Sequence, residues 1–211
     1  MANTTARPSV EVHDFAQWRD AARGLLRQGV DPAQVDWRDQ FAPSDLFAAG
    51  SAPPDTDAAL PFAQPDDRPA KSRADAPAAD TPAPRIPREM MQTLASAACH
   101  ADYDRWAFLY RVLWRWQQGD RAVLSPADPD GARLAAMVKA VRHEEHDMHA
   151  YLRFRERPIE AGAPRFVAWF EPIHHILPQV TQHFAKRMGR ISWMIATPRA
   201  TVMWDGATVH T

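Results

Sequence analysis

Cysteine is almost absent from this chain of 211 residues, where Cys99 stands alone. One thiol cannot build an intrachain disulfide, a CxxC zinc site or a cysteine-ligated iron-sulfur cluster. Long apolar runs are missing too. None approaches the ~20 residues of a membrane helix, and Met1 to Val10 lacks the basic-then-apolar order of a secretory signal. A cytoplasmic location and no membrane partner are the expectation. Nor is there a surplus of one charge: 25 Lys and Arg stand against 26 Asp and Glu, so any affinity for nucleic acid has to be local. Walker, GxGxxG and GxSxG motifs are absent, which removes the usual anchors of nucleotide-binding and α/β-hydrolase sites. Composition calls for no cofactor.

Apolar residues make up 45% of the chain and eight of them are tryptophan, enough for a packed core. Prolines, 19 in all against eight glycines, divide the chain. Residues 1–42 read as a small strand-helix unit, with a strand at Val10 to His13 and a helix capped by Asp14 and ending near Gly29. Phe15, Trp18, Ala22, Leu25 and Leu26 form its apolar stripe. Residues 43–87 hold ten prolines and twelve alanines and read as a disordered linker. Within it, Pro43-Ser44-Asp45-Leu46-Phe47 has the look of a docking peptide. Residues 88–211 read as the main domain, with 16 basic and 13 acidic residues.

That domain is expected to be α+β: a helical first half, then a small antiparallel sheet with one inserted helix. Helices are expected from Pro87, from Asp102 to about Gln118, and after Ser125-Pro126-Ala127-Asp128-Pro129-Asp130 as far as His149. Strands are expected at Ala150 to Arg155 and Phe166 to Glu171, joined through a bend at Glu160 to Pro164. A helix through Ile176, Val180 and Phe184 precedes strands at Ile191 to Thr197 and Thr201 to Trp204, and Asp205-Gly206 signals a turn.

Three constellations can carry chemistry. His143 and His146 are three apart, not the four of HExxH. They lie ~200° and ~140° round the helix from Val141, at ~100° per residue, which points them to solvent and implies no metal site. His149 lies nearer the core edge. With Glu171, His174, His175 and His183 it makes an acid-base or metal-ligand set, if the chain folds so as to gather them. The competing reading is that these histidines cap backbone groups or fill space between helix and sheet. Arg111 and Arg115 sit one turn apart on a helix. Tyr151, Arg153 and Arg155 alternate on the expected strand beside Trp169, a pattern that can hold phosphates and stack bases, or can equally be a solvated sheet edge.

Several segments, in order, resemble a known family. They are Ala98-Cys99-His100, Phe108 to Arg115, Met148 to Arg155, Phe166 to Pro172 with His174-His175-Ile176-Leu177, His183 to Arg187, Trp193 to Pro198 and Trp204-Asp205-Gly206. Over about residues 86–206 the chain resembles a bacterial family of DNA repair or DNA metabolism proteins. Its domain of unknown function stands N-terminal to UdgX-type uracil-DNA-glycosylase domains, or occurs as a separate protein paired with a radical-SAM DNA-repair protein. The resemblance implies a part in uracil-DNA or damaged-DNA metabolism, with DNA and one of those proteins as partners, in a fusion or as separate chains. It does not imply glycosylase activity here, since one cysteine cannot hold that domain's cluster. An accessory domain that binds DNA or a repair partner is the first expectation, and a histidine-based, metal-dependent nucleic-acid hydrolase is the alternative.

Overall fold

The computed structural model describes residues 7–39 and 86–211. The expected linker, as far as residue 85, and the docking peptide within it lie outside the described residues. The first described segment is a β-α-β unit. Strand β1 (Ser9–Val12) leads into α1 (Phe15–Arg27), and β2 (Asp36–Asp39) returns parallel to β1. Asp14 starts the helix as its sequence position predicts: its backbone is extended and its carboxylate accepts from Gln17 N at 2.8 Å. Gln17 Oε1 in turn accepts from His13 N at 3.1 Å, so two N-H groups at the helix start are satisfied reciprocally.

The apolar stripe of α1 packs on the main body. Trp18, Ala22 and Leu25 are buried in one cluster with Leu94, Trp106, Leu109 and Tyr110. Polar contacts fix the orientation. Trp18 Nε1 donates to the carbonyl of Trp106 at 3.1 Å, and the Tyr110 hydroxyl donates to that of Val30 at 2.7 Å. The guanidinium of Arg105 pairs with Asp39, both inside the protein.

Three helices follow: α2 (Arg88–Ala97), α3 (Arg105–Gln117) and α4 (Pro129–Tyr151). Asp128 caps α4, accepting from Asp130 N and Gly131 N at 2.9 and 3.2 Å, with Pro129 in the first turn where its missing N-H costs nothing. Gly131 is required there, because a Cβ would meet the carbonyl oxygen of Ser125 at 2.0 Å.

The sheet differs from expectation in two respects. Helix α4 continues through Tyr151, closed by Leu152 N donating to the carbonyl of Met148 at 3.1 Å, and pairing begins only with β3 (Arg155–Glu156). The alternation of Leu152 and Phe154 does not mark a strand. Leu152 is buried behind the helix end, and Phe154 packs edge-on to Phe184 at 5.5 Å. Second, the inserted helix α5 (Leu177–Met188) makes a crossover, so β4 (Phe166–Trp169) and β5 (Trp193–Ala196) are parallel neighbours. Around that pair, β3, β6 (Thr201–Trp204) and a short β7 (Val209–His210) are antiparallel. The α+β class stands, with a five-stranded mixed sheet in the order β3-β4-β5-β6-β7.

One face of this sheet is core: Ala168, Trp193, Ile195 and Val202 are buried with Met148, Ile176, Val180 and Phe184. Among the described residues, no helix is long and apolar enough to cross a membrane.

Candidate functional site

The histidines expected to gather form two separate groups. His149, near the end of α4, stacks on His183 of α5 with ring centroids 3.9 Å apart, and Phe184 meets both rings edge-on. The Nε2 of His149 is buried without a hydrogen-bond partner. Burial, then the neighbouring His183, holds this imidazole below its ordinary range, so it stays neutral at pH 7.

The second group is built on the segment between β4 and α5. His174 lies against His100 with centroids 4.4 Å apart, and its Nδ1 accepts from Ala101 N at 3.2 Å. In the neutral ring the proton is therefore on Nε2. His100 Nδ1 sits 3.4 Å from a carboxylate oxygen of Asp102. His175 N donates to the carbonyl of Cys99 at 2.7 Å. Burial first, then Arg105 and Arg199, pushes the His175 imidazole down to about 3.

A junction of strand and helix can bind an anion through exposed backbone N-H groups. Here the protein fills that position itself. Glu144, on α4, accepts from Ile173 N at 2.6 Å and from His174 N at 2.7 Å. Arg199 Nη1 holds the carbonyl of Ile173 at 2.6 Å from the other side. Glu171 is not in this group; its carboxylate accepts from Trp169 Nε1 at 2.9 Å at the exposed end of β4. Among the described residues no three His, Cys, Asp or Glu side chains converge as metal ligands. His143 and His146 are exposed, as their angular positions require.

Between this segment and α1 lies a cleft of ≈ 510 Å³, mostly apolar, lined in part by Phe15, Cys99, Arg105, Trp106, His174 and Arg199. Cys99, at the end of α2, receives a hydrogen bond from Gln179 Nε2 at 2.9 Å, and burial raises its thiol above the usual range. Arg105 is 1% exposed, and besides Asp39 its Nη1 reaches the carbonyl of Asp102 at 3.1 Å. Its Nε has no partner, an omission that costs about 1–3 kcal/mol or more for a buried donor. The sequence carries no sign of Glu144, Arg105 or Arg199 as site residues, and His100 stands out in it only beside Cys99. Glu144 has the spacing of a solvated helix face, and only the fold shows what lies opposite it.

The cationic and aromatic candidates also separate. Arg115 sits in a cage of carboxylates, 2.6 Å from Asp120, 2.7 Å from Asp128 and 2.9 Å from Asp130. Arg111 adds a two-pronged contact to Asp130 at 3.1 and 2.7 Å. These pairs tie α3 to the start of α4 and occupy the guanidinium donors. Tyr151 is exposed in the last turn of α4, and Arg153 Nη1 donates to the carbonyls of Ala150 and Leu152 at 2.8 and 3.2 Å. Tyr151, Arg153 and Arg155 therefore do not share one strand face, because the first two belong to a helix end.

Arg155 and Trp169 do share a face. Arg155 pairs with Val167, two residues from Trp169, and the row continues through Met194 and Met203 to His210. Side chains alternate across a strand, so these residues stand on the face away from the core. Trp169 is 57% exposed there and Arg155 is exposed beside it. Val167, Met194 and Met203 are half-buried and stand outside both apolar clusters.

The described fold thus defines an α+β protein with an open sheet face on one side and a histidine-walled cleft on another. Residues 103–206 match a family described as a domain of unknown function, DUF4130. The match runs from the start of α3 to the turn after β6, so the β-α-β unit and α2 lie outside it. No curated protein and no solved structure matches the chain.

Proposed function

We propose that this chain is an accessory domain of DNA metabolism that binds single-stranded DNA across the open face of its sheet. The observation that carries the reading is the shared face of Arg155 and Trp169. An exposed indole offers a surface for a base, an arginine on the neighbouring strand offers charge for a phosphate, and the row of Val167, Met194 and Met203 carries an apolar track on from them across β4, β5 and β6. Support also comes from the ordered resemblance over residues 86–206 to proteins of DNA repair. By that resemblance the partner is a UdgX-type uracil-DNA-glycosylase domain or a radical-SAM repair protein, and uracil-containing DNA is the substrate class to try first. The hydrolase reading has less support, because the histidines divide into two groups with no metal-ligand trio among the described residues.

The test is fluorescence anisotropy of labelled single-stranded oligonucleotides, with uracil or thymine, and of the matched duplexes, across a salt series. Binding is expected to weaken steeply with salt. Trp169→Ala is expected to cost about 1–3 kcal/mol for one stacked base, and Arg155→Ala to lower the salt slope by about 1. No binding at low salt, or binding indifferent to both substitutions, would overturn the proposal.

A further inference from the structure

We propose that the cleft between α1 and the histidine segment is a binding site for a small organic anion, an apolar body carrying one carboxylate or phosphate. Its volume, ≈ 510 Å³, is that of a small-molecule site, and such sites pair an apolar lining with a few polar groups that fix orientation. Phe15 and Trp106 supply apolar wall, and the polar groups, one carboxylate apart, are cationic or neutral. Arg105, all but fully buried, lines the cleft with an Nε that no other group satisfies. Arg199 is exposed at the cleft, and no carboxylate among the described residues lies within ion-pair distance of it. The carboxylate of Asp14 also lies on the lining, but it is occupied in capping α1.

Both guanidinium groups bear on His175, which they help to keep neutral. His174 is likewise held below its ordinary range, by burial and then by His100. At neutral pH the cleft carries two fixed positive charges: Arg105, paired with Asp39, and the exposed Arg199, while the one carboxylate on the lining, that of Asp14, stands at the start of α1. An anion placed there satisfies the buried Arg105 Nε, through a hydrogen bond that the low local polarity strengthens, and meets the exposed Arg199 guanidinium. The backbone N-H groups of Ile173 and His174 do not compete for it, because Glu144 already holds them. The ligand's polar contacts fall to the arginines, with the Nε2-H of His174 as a third donor.

This inference is independent of DNA binding on the sheet. Its test uses the full chain with 1-naphthyl phosphate and 1-naphthoate, and 1-naphthamide as the neutral match. Calorimetry reads affinity, and the rate of Cys99 alkylation reads occupancy, since this sole thiol lines the cleft. At least one of the two anions is expected to bind saturably, slow alkylation several-fold, and bind ten-fold or more weaker to Arg199→Gln, with Arg199→Lys recovering part of the loss. Which anion binds tighter identifies the preferred group. An amide that binds as well as the anions, anions that fail to bind at millimolar concentration, or an Arg199→Gln variant with unchanged affinity would overturn the proposal.

Discussion

Arg105 and Asp39 face one another in the interior with 2% and 1% of their side chains exposed, joining the first turn of α3 to the last residue of β2. Without Asp39 the Arg105 guanidinium would be a buried charge that has lost its carboxylate. Asp39→Ala is therefore expected to lower stability by about 3–5 kcal/mol, the cost of breaking rather than replacing a buried pair. Urea unfolding of the full chain measures it. A loss below about 1 kcal/mol, the size of a surface pair, would mean that the pair does not hold the β-α-β unit in place.

Glu144 fixes the chain between β4 and α5 through two backbone N-H groups. Glu144→Ala leaves both donors to water and is expected to cost about 2 kcal/mol, within the range for hydrogen bonds to a charged group. Amide exchange at Ile173 and His174 should accelerate far more than exchange within α4. Equal protection in the variant would show that the segment is held by other contacts.

Stability is expected to fall in acid in two stages. His149, His174 and His175 have folded-state values below the ordinary 6.5, with His175 at about 3. The unfolded chain then binds protons more readily than the folded one. Their contribution is complete above pH 6.5 and is lost as the pH falls from there towards 3. Asp128, held at about 2 chiefly by its hydrogen bond from Arg115, contributes above the ordinary 3.8 and is lost between there and 2. Melting temperatures from pH 8 to 4 should show the first stage, and His175→Gln should flatten it. An unchanged slope in that variant would remove His175 from the account.

Arg115 gathers Asp120, Asp128 and Asp130 around one guanidinium. Arg115→Gln leaves three neighbouring carboxylates mutually repelling at the start of α4, so the variant is expected to melt below the parent and to recover part of the difference in high salt. A parent and variant that respond to salt alike would argue against repulsion as the cause.

Local signals in the chain were sufficient for much of the fold. Asp14 and Asp128 are caps at the positions where an oxygen-bearing side chain precedes an apolar period, and Trp18, Ala22 and Leu25 are buried because the 3.6-residue period puts them on one face. Period-2 alternation from Ala150 to Arg155 predicts a strand, but over six residues a helix end followed by a buried tail has the same pattern. Neighbouring turns settled that ambiguity, through the bond from Leu152 N to the carbonyl of Met148.

The candidate sites were less legible. His100 and His174, 74 positions apart, come into contact only because α2 packs beside the segment leading into α5, and no spacing rule spans such a distance. Arg111 and Arg115 read as phosphate ligands until their carboxylate partners from the next turn are in place.

Composition alone determined that no disulfide or cysteine-bound cluster forms within this chain, since Cys99 has no second cysteine to join. Capping and periodicity determined where most helices begin and which faces they bury, because those preferences act over three or four residues. Tertiary structure decided that α1 docks on α3, that β4 and β5 run parallel, that the histidines divide, and that Arg155 and Trp169 share an open face. Those outcomes rest on burying apolar surface between distant segments, and the energy of that burial depends on what each face meets.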